Sequence, residues 1–287
     1  MVYSPSQNTP EEAVMAYLSE NRKPFTVNDF KARKDAKVPI SMLTCYDYGF
    51  ACIAEQSELD TLLVGDSLGN VVAGFKTTIP VTMDQMVYHG SIVRRGAPSK
   101  FLIVDMPFMS YHVSVEDSLR NAGRIMKETE ANAVKLEGGR EFQKTVEALV
   151  AASIPVVGHL GLTPQSVHKL GGYSVQGREE DKRKRILEDA LILQDAGACS
   201  IVLEMLSASL ANEISEKLSI PTIGIGAGNG CDGQVLVIND MLGMNTGFTP
   251  KFAKKFVELC SVIQSAFNDY DSAVKDRSFP APENTFK

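Results

Sequence analysis

Four apolar, strand-like runs of this sequence each end on a carboxylate. These carboxylates are Asp66, Asp105, Glu137 and Glu204. In a parallel α/β barrel the side chains at the C-terminal ends of the strands converge on one mouth, so the four would be neighbours. Carboxylates this close repel each other at low dielectric and raise one another's pKa unless a cation lies among them. The pattern therefore predicts an acidic pocket built around a metal ion.

Three of these carboxylates are the candidate metal ligands. Asp66 and Asp105 close successive apolar runs, and an aspartate is rarely buried without a partner. Each of them alone could equally cap the following helix. Together with Glu137 they favour a metal site, and their hard oxygen ligands select Mg²⁺. An ion held by only two or three carboxylates keeps open positions for water or substrate, as a catalytic ion needs.

Three further residues near these run ends could bind a substrate. Lys135 lies two residues before Glu137, so both side chains point to one side of the barrel wall. A pair between them could be purely structural, but a cation beside carboxylates also suits an anionic substrate, which is the interpretation we favour. His159 could donate a hydrogen bond to substrate or be satisfied within the core. Ser67 could hold a substrate carboxylate or cap the next helix.

Glu204 is the candidate catalytic residue. It ends the sixth apolar run, at 200–205, slightly apart from the metal ligands. A carboxylate in that place suits a general base. The alternative is a salt bridge across the barrel.

Eight short apolar runs provide the elements that would position these residues. The runs are 41–46, 61–66, 101–106, 133–137, 155–160, 200–205, 221–226 and 234–239. They do not alternate with polar residues, as expected of parallel strands buried on both faces, and helical patterns separate them. This alternation predicts an α/β fold, a (βα)8 TIM barrel. Before it, Thr9 as N-cap and Pro10 at the first helical position predict an N-terminal helix.

The length favours one barrel domain over residues 1–287, with a helical extension at 1–24 and a tail at 280–287. A doubly wound open sheet is the alternative. Such a sheet carries its glycine-rich loop after the first strand, whereas the loop at 224–228 follows the seventh run. A late loop suits a barrel, where it would bind an anion or simply turn tightly.

Composition excludes several classes of partner. The 287 residues carry a net charge of −6, which gives no electrostatic footprint for nucleic acid or an anionic membrane. No apolar stretch is long enough to span a membrane, and no secretory signal pattern opens the sequence. The five cysteines are scattered, without a CxxC pair or a zinc-ligand spacing. These features together predict a cytoplasmic enzyme.

Many segments of the sequence resemble, in order, the ketopantoate (3-methyl-2-oxobutanoate) hydroxymethyltransferase family of pantothenate biosynthesis. The segments are MLTCYDYGFA at 42–51, GDSLGNVVAG at 65–74, TIPVTMDQMVYH at 78–89, DMPFMSY at 105–111, KLEGG at 135–139, GHLGLTPQSVHKLGGYSVQGR at 158–178, LEM at 203–205 and GIGAGNGCDGQVLVINDMLG at 224–243. The resemblance implies a barrel of the phosphoenolpyruvate/pyruvate type, a homodecamer, and transfer of a hydroxymethyl group from 5,10-methylenetetrahydrofolate to 3-methyl-2-oxobutanoate through a Mg²⁺-stabilised enolate.

The resemblance also implies roles for individual residues. Asp66 and Asp105 resemble the family's Mg²⁺ ligands, with Glu137 nearby and acting directly or through water. Lys135, Ser67 and His159, together with the two aspartates, resemble its substrate-binding positions, and Glu204 its catalytic base. Two other functions stay open at this point. One is a Mg²⁺-dependent lyase or mutase of the phosphoenolpyruvate-mutase or isocitrate-lyase type, and the other is a non-catalytic binding barrel.

Overall fold

Eight parallel strands close into a barrel in the order of the sequence, with the last strand paired to the first. The structure is a computed structural model that describes residues 24–245, 247 and 249–286. The strands are β1 Ile40–Thr44, β2 Thr61–Val64, β3 Phe101–Asp105, β4 Ala133–Glu137, β5 Val156–Gly161, β6 Ser200–Glu204, β7 Thr222–Ile225 and β8 Gly233–Leu236. Each strand overlaps its predicted run, and the strands close into a barrel with helices between them, so the (βα)8 prediction is confirmed.

Helices lie between the strands and around the barrel. They are α1 Val27–Asp35, α2 Tyr48–Glu55, α3 Leu68–Val71, α4 Met83–Gly96, α5 Val115–Thr129, α6 Gln143–Ala151, α7 Val167–Leu170, α8 Glu180–Asp195, α9 Ala208–Lys217, α10 Ile238–Met241 and α11 Leu259–Lys275. Short 3₁₀ turns cover Arg140–Phe142, Pro164–Ser166 and Pro282–Asn284. Local sequence fixes several helix starts: the Ser114 side chain accepts a hydrogen bond from the Asp117 peptide N–H and so caps α5.

The last strand is shorter than its predicted run at 234–239. It ends at Leu236, and the chain turns into α10 at Ile238. The peptide N–H of Ile238 donates to the hydroxyl of Thr44, which is at the end of β1. The turn after β8 therefore contacts a residue almost two hundred positions away in the sequence.

The period of two along each strand decides which side chains enter the barrel. On β3, Phe101 and Ile103 belong to the apolar cluster inside the barrel, and Asp105 is the next residue on that side. On β4, Ala133 belongs to the same cluster, and Lys135 follows it on that side. The intervening residues pack in a second cluster, against the helices. The charged residues thus complete interior rows that begin with apolar side chains.

Three aromatic rings close the N-terminal end of the barrel. Phe30 of α1 packs edge-on against Phe25 and Phe101, with ring centroids 5.1 and 5.2 Å away. Phe30 and Phe101 belong to the interior cluster, and the partly buried Phe25 packs against it. This apolar plug leaves the opposite end, where the strands end on charged residues, as the place for a polar site.

Two predictions are not tested by the described residues. The N-terminal helix predicted around Thr9 and Pro10 lies outside them, and the single-domain organisation over 1–287 stays a prediction. Among the helices of the described part of the chain, none is both long and apolar enough to cross a membrane.

Candidate active site at the barrel mouth

A cavity of about 970 Å³ opens at the C-terminal ends of the strands. Every strand, or the residue or two after it, contributes to its lining. The structure brings all of the predicted site residues to this one cavity: Asp66, Ser67, Asp105, Lys135, Glu137, His159 and Glu204. Residues from five different strand ends therefore meet in one place, as the sequence pattern predicts.

Lys135 forms a buried ion pair with Asp105, not with Glu137. Its Nζ lies 3.0 Å from Asp105 Oδ1, and the two positions are register partners on β3 and β4. The other carboxylate oxygen of Asp105 accepts a hydrogen bond of 3.0 Å from the peptide N–H of Asp66. Asp105 is thus held between an ammonium on one strand and a backbone donor on another. The suggested pair within β4 is replaced by a pair across strands.

Asp66 and Asp105 are both almost completely buried. Burial raises the pKa of Asp66 to about 6, the charge of Glu137 raises it further, and Lys135 opposes both. Burial likewise raises the pKa of Asp105 to about 6, against the opposing charge of Lys135. Both carboxyl groups therefore resist ionisation, and an added cation between them would stabilise their charged forms.

His159 lies between two carboxylates. Its Nδ1 is 3.4 Å from Glu137 Oε1, and its Nε2 is 3.2 Å from Glu204 Oε2. The contact with Glu204 lacks hydrogen-bond geometry, since the buried Nε2 has no hydrogen-bond partner. Burial and the charge of Lys135 lower the pKa of His159, but its contacts with Glu137 and Glu204 outweigh them and raise the pKa to about 9. The two carboxylates therefore favour the protonated ring, while the Lys135 ammonium, 3.4 Å from Nδ1, opposes it.

Glu204 differs from the other carboxylates in its exposure. Its side chain is 16% exposed, against 4% for Glu137 and Asp105. Gly161, its register partner on β5, has φ +98°, and a Cβ there would lie only 2.1 Å from the carbonyl oxygen of Glu204. The close approach of these two strands therefore needs a glycine. It fixes the backbone that carries Glu204.

Neither Ser67 nor Asp66 caps the helix that follows. The Ser67 side chain makes no capping hydrogen bond, and its hydroxyl lies 2.8 Å from the hydroxyl of the buried Tyr46. Asp66 Oδ2 instead accepts from the Gln165 amide at 2.9 Å. Both side chains are thus turned toward the cavity, and the capping alternative is wrong for them.

Sequence reasoning missed two residues: Gln165, which donates hydrogen bonds to two of the carboxylates, and Tyr111, which contacts Gln165 and the backbone of Glu137. The Gln165 peptide N–H donates to Glu137 Oε2 at 3.0 Å, and the Tyr111 hydroxyl contacts both Gln165 and the backbone of Glu137. Both residues lie inside segments that carry the family resemblance, which was the only available signal. Neither residue is charged or follows an apolar run, so no chemical pattern marks them.

The glycine-rich loop after β7 turns tightly at the cavity wall. Gly226 and Gly228 have φ +62° and +81°, and a Cβ on Gly226 would lie 2.9 Å from the Phe252 ring. Backbone in the left-handed region favours glycine. The tight-turn interpretation of this loop is therefore sufficient to explain its glycines.

The donor set fits a hard cation that is only partly coordinated by protein. Among residues 24–245, 247 and 249–286, no group of three or more His, Cys, Asp or Glu side chains is arranged to hold a metal ion alone. Asp66 and Asp105, however, are both buried in the cavity wall, and the peptide N–H of Asp66 donates to Asp105 Oδ2. Two carboxylates of this kind suit Mg²⁺, which keeps several water or substrate oxygens in its shell.

Comparisons with known proteins agree with this geometry. A family model described as ketopantoate hydroxymethyltransferase matches residues 24–282. Proteins named 3-methyl-2-oxobutanoate hydroxymethyltransferase from Pseudothermotoga lettingae and Leptospira interrogans are 55% and 51% identical, covering 92% and 90% of this chain and 99% and 97% of their own. Among solved structures, phosphoenolpyruvate phosphomutase from Streptomyces platensis subsp. rosaceus is similar in fold, with TM-score 0.60, 14% identity, and coverage of 91% of this chain and 92% of that one.

Proposed function

The chain belongs to the ketopantoate hydroxymethyltransferase family, and on that premise we propose that it transfers a hydroxymethyl group to 3-methyl-2-oxobutanoate in pantothenate biosynthesis. One observation about the candidate site supports this proposal. A single cavity combines a buried ammonium, three buried carboxylates and a more exposed carboxylate that can reach a substrate. Recognition of an anionic 2-oxo acid and removal of a proton beside its carbonyl need these groups together.

Asp66 and Asp105 would hold Mg²⁺, with Glu137 binding it directly or through water. Bound there, Mg²⁺ would polarise the 2-oxo group and so make the neighbouring C3 proton more acidic. The support for this arrangement is the burial of both aspartates in one cavity wall, their connection through the Asp66 peptide N–H, and the raised pKa of each. We include in the proposal that the ion held by these residues is Mg²⁺.

Lys135 and Ser67 would bind the keto acid. The Lys135 ammonium is the cationic group buried among the acidic residues of the cavity, and a substrate carboxylate would find in it a partner of opposite charge. The Ser67 hydroxyl, whose position Tyr46 fixes, would donate to a substrate oxygen. His159 would keep Glu137 and Glu204 apart while its charge favours an anionic ligand.

Glu204 would remove the C3 proton. Its carboxylate is partly exposed on the cavity wall, and the strand that carries it is fixed by Gly161. Lys135 would stabilise the negative charge that moves onto the substrate oxygen. Water would break both C–N bonds of the methylene bridge of 5,10-methylenetetrahydrofolate, releasing tetrahydrofolate and keeping its oxygen on the one-carbon unit. Attack of C3 on that one-carbon unit then gives 2-dehydropantoate.

The size of the cavity supports a second, larger substrate. Its volume of about 970 Å³ is near the upper end of the roughly 300–1,000 Å³ typical of small-molecule sites. A five-carbon keto acid leaves most of it free. Tyr173 and Phe252 line it together with the cationic Lys76 and Lys251. Aromatic walls and surface cations suit the fused ring and the glutamate carboxylates of a reduced folate.

A homodecamer in the cytoplasm is a further prediction from the family resemblance. One feature supports assembly: α11, Leu259–Lys275, buries none of its residues and exposes Val262, Phe267 and Tyr270. Apolar side chains on an otherwise uncovered helix suit contact with another copy of the chain. Light scattering on the purified protein measures the mass, and a monomer would reject the assembly.

The alternative function is a lyase or mutase of the phosphoenolpyruvate type. Its support is the fold, which a 14% identical phosphomutase shares. Turnover separates the two functions. The proposed enzyme forms 2-dehydropantoate from 3-methyl-2-oxobutanoate only when methylenetetrahydrofolate is supplied, and it leaves phosphonopyruvate unchanged. Phosphonopyruvate turnover without folate would reject the proposal in favour of the alternative.

A further inference from the structure

Gln165 contacts two carboxylates of the mouth through two different groups. It belongs to the 3₁₀ turn Pro164–Ser166 that follows β5, and only 5% of its surface is exposed. Its side-chain Nε2 donates to Asp66 Oδ2 at 2.9 Å. Its peptide N–H donates to Glu137 Oε2 at 3.0 Å. One uncharged residue therefore links a carboxylate that follows β2 to one that ends β4.

The hydrogen bonds around Gln165 allow one orientation of its amide. The Tyr111 hydroxyl accepts from the peptide N–H of Glu137 at 3.1 Å, and its own hydrogen has two acceptors, Gln165 Oε1 at 2.8 Å and the Glu137 carbonyl oxygen at 3.3 Å. With Oε1 used as acceptor, the amide nitrogen turns to Asp66 Oδ2 and to the carbonyl of Met106, 3.0 Å away. Both amide hydrogens are satisfied. Flipping the amide would place Oε1 against Asp66 Oδ2 and the Met106 carbonyl oxygen, which are both acceptors, and would break those two contacts.

We propose that Gln165 is a positioning residue that fixes the spacing and orientation of Asp66 and Glu137 and thereby sets the affinity of the mouth for a divalent cation. The inference rests on the proposed function, because it assumes that these carboxylates face a metal ion. Like charges this close repel each other unless something holds them. Lys135 holds Asp105 by neutralising it, whereas an amide holds Asp66 without removing its charge. Ligand carboxylates oriented in this way by hydrogen bonds typically lose 10- to 100-fold in metal affinity when the orienting group is removed.

The test measures Mn²⁺ binding to the full-length protein by electron paramagnetic resonance of the free ion, without substrate. Gln165→Met keeps the length and apolar stem of the side chain but removes the amide. The peptide N–H to Glu137 remains, so the variant isolates the bond to Asp66. We expect the dissociation constant for Mn²⁺ to rise about 10- to 100-fold. The thermal unfolding midpoint is recorded on the same samples to show that the variant is folded.

Gln143→Met is the matched control. Gln143 Nε2 donates to Glu147 Oε1 at 2.9 Å on the surface of α6, so the same substitution removes an amide–carboxylate bond of the same length far from the mouth. Its Mn²⁺ affinity is expected to equal that of the wild type. Tyr111→Phe is a second, smaller change, which removes the hydroxyl that orients the amide. We expect several-fold weaker Mn²⁺ binding from it, and this variant carries the test if Gln165→Met does not fold.

The outcomes separate the inference from the proposed function. Weaker Mn²⁺ binding in the folded variants, with an unchanged control, supports a positioning role. A residue that only packs would lower the unfolding midpoint without changing the dissociation constant, and that result overturns the inference while the metal site stands. A wild-type protein that binds no Mn²⁺ overturns both.

Discussion

Asp105 and Lys135 form an ion pair between neighbouring strands, with Oδ1 and Nζ 3.0 Å apart and both side chains about 95% buried. They are register partners at the ends of β3 and β4. Asp66 is attached to the same pair by its peptide N–H. The pair thus connects Asp66, through Asp105, to the His159 ring, whose Nδ1 lies 3.4 Å from the Lys135 Nζ.

Removing the cation of this pair is expected to be costly. Lys135→Met leaves Asp105 buried without a counter-charge, which destabilises a protein by about 3–5 kcal/mol. It also removes the proposed partner of the substrate carboxylate, so KM for the keto acid rises. Denaturant unfolding and initial rates measure the two effects.

The control for Lys135→Met is Lys31→Met. Lys31 pairs with Asp35 at 2.7 Å, but both side chains are about 60% exposed. Exposed pairs contribute at most about 1 kcal/mol, so the control should change stability little and KM not at all. Equal effects of the two substitutions would contradict the role of burial.

The contacts of His159 predict a pH dependence of stability. Its pKa is raised from 6.5 to about 9, since Glu137 and Glu204 outweigh burial and Lys135. The folded state therefore holds the proton more tightly than the unfolded state. The resulting stabilisation is fully present below about pH 6.5 and is lost as the pH rises through about 9.

Unfolding free energies of His159→Gln measured from pH 6 to 10 check this assignment. The variant is expected to show a smaller decline above pH 6.5 than the wild type. His168→Gln, which changes an exposed histidine of α7, should follow the wild-type curve. If the unfolding free energy of His159→Gln declines as much as that of the wild type, the decline is due to groups other than His159.

Gly161 is expected to tolerate no side chain. Gly161→Ala combines φ +98° with a Cβ 2.1 Å from the carbonyl oxygen of Glu204. Backbone strain of this kind costs about 1–3 kcal/mol, and the clash displaces the strand that carries Glu204. Both stability and kcat should therefore fall.

Gly171→Ala is the control that separates the effect of backbone strain from the effect of the steric clash. Gly171 also has a positive φ, +72°, but a Cβ there meets nothing within 4 Å. The control should lose some stability and keep its kcat. A kcat that falls equally in both variants would reject the special contact between Gly161 and Glu204.

The sequence was sufficient to predict the barrel and the residues of its mouth. Continuous apolar runs report strands buried on both faces, and a charged residue at the end of an interior row must face the mouth. The pairing of Lys135 was not predictable, because it depends on the register between two strands. Gln165 was missed because a neutral amide in a loop follows no charge pattern. The early end of β8 was not predictable either, since the turn that follows it contacts the Thr44 hydroxyl, which is distant in sequence.

Loss of the C3 proton of 3-methyl-2-oxobutanoate in D₂O, followed by NMR without folate, tests the central claim most directly. The samples are the wild type with Mg²⁺, the wild type after chelation, Glu204→Gln with Mg²⁺, and Glu216→Gln as a control on the exposed face of α9. The account predicts rapid exchange only with Mg²⁺, a rate in Glu204→Gln lower by about 10²- to 10⁴-fold with keto acid binding retained, and a wild-type rate in the control. Wild-type exchange in Glu204→Gln, or exchange that is independent of the metal, would contradict it.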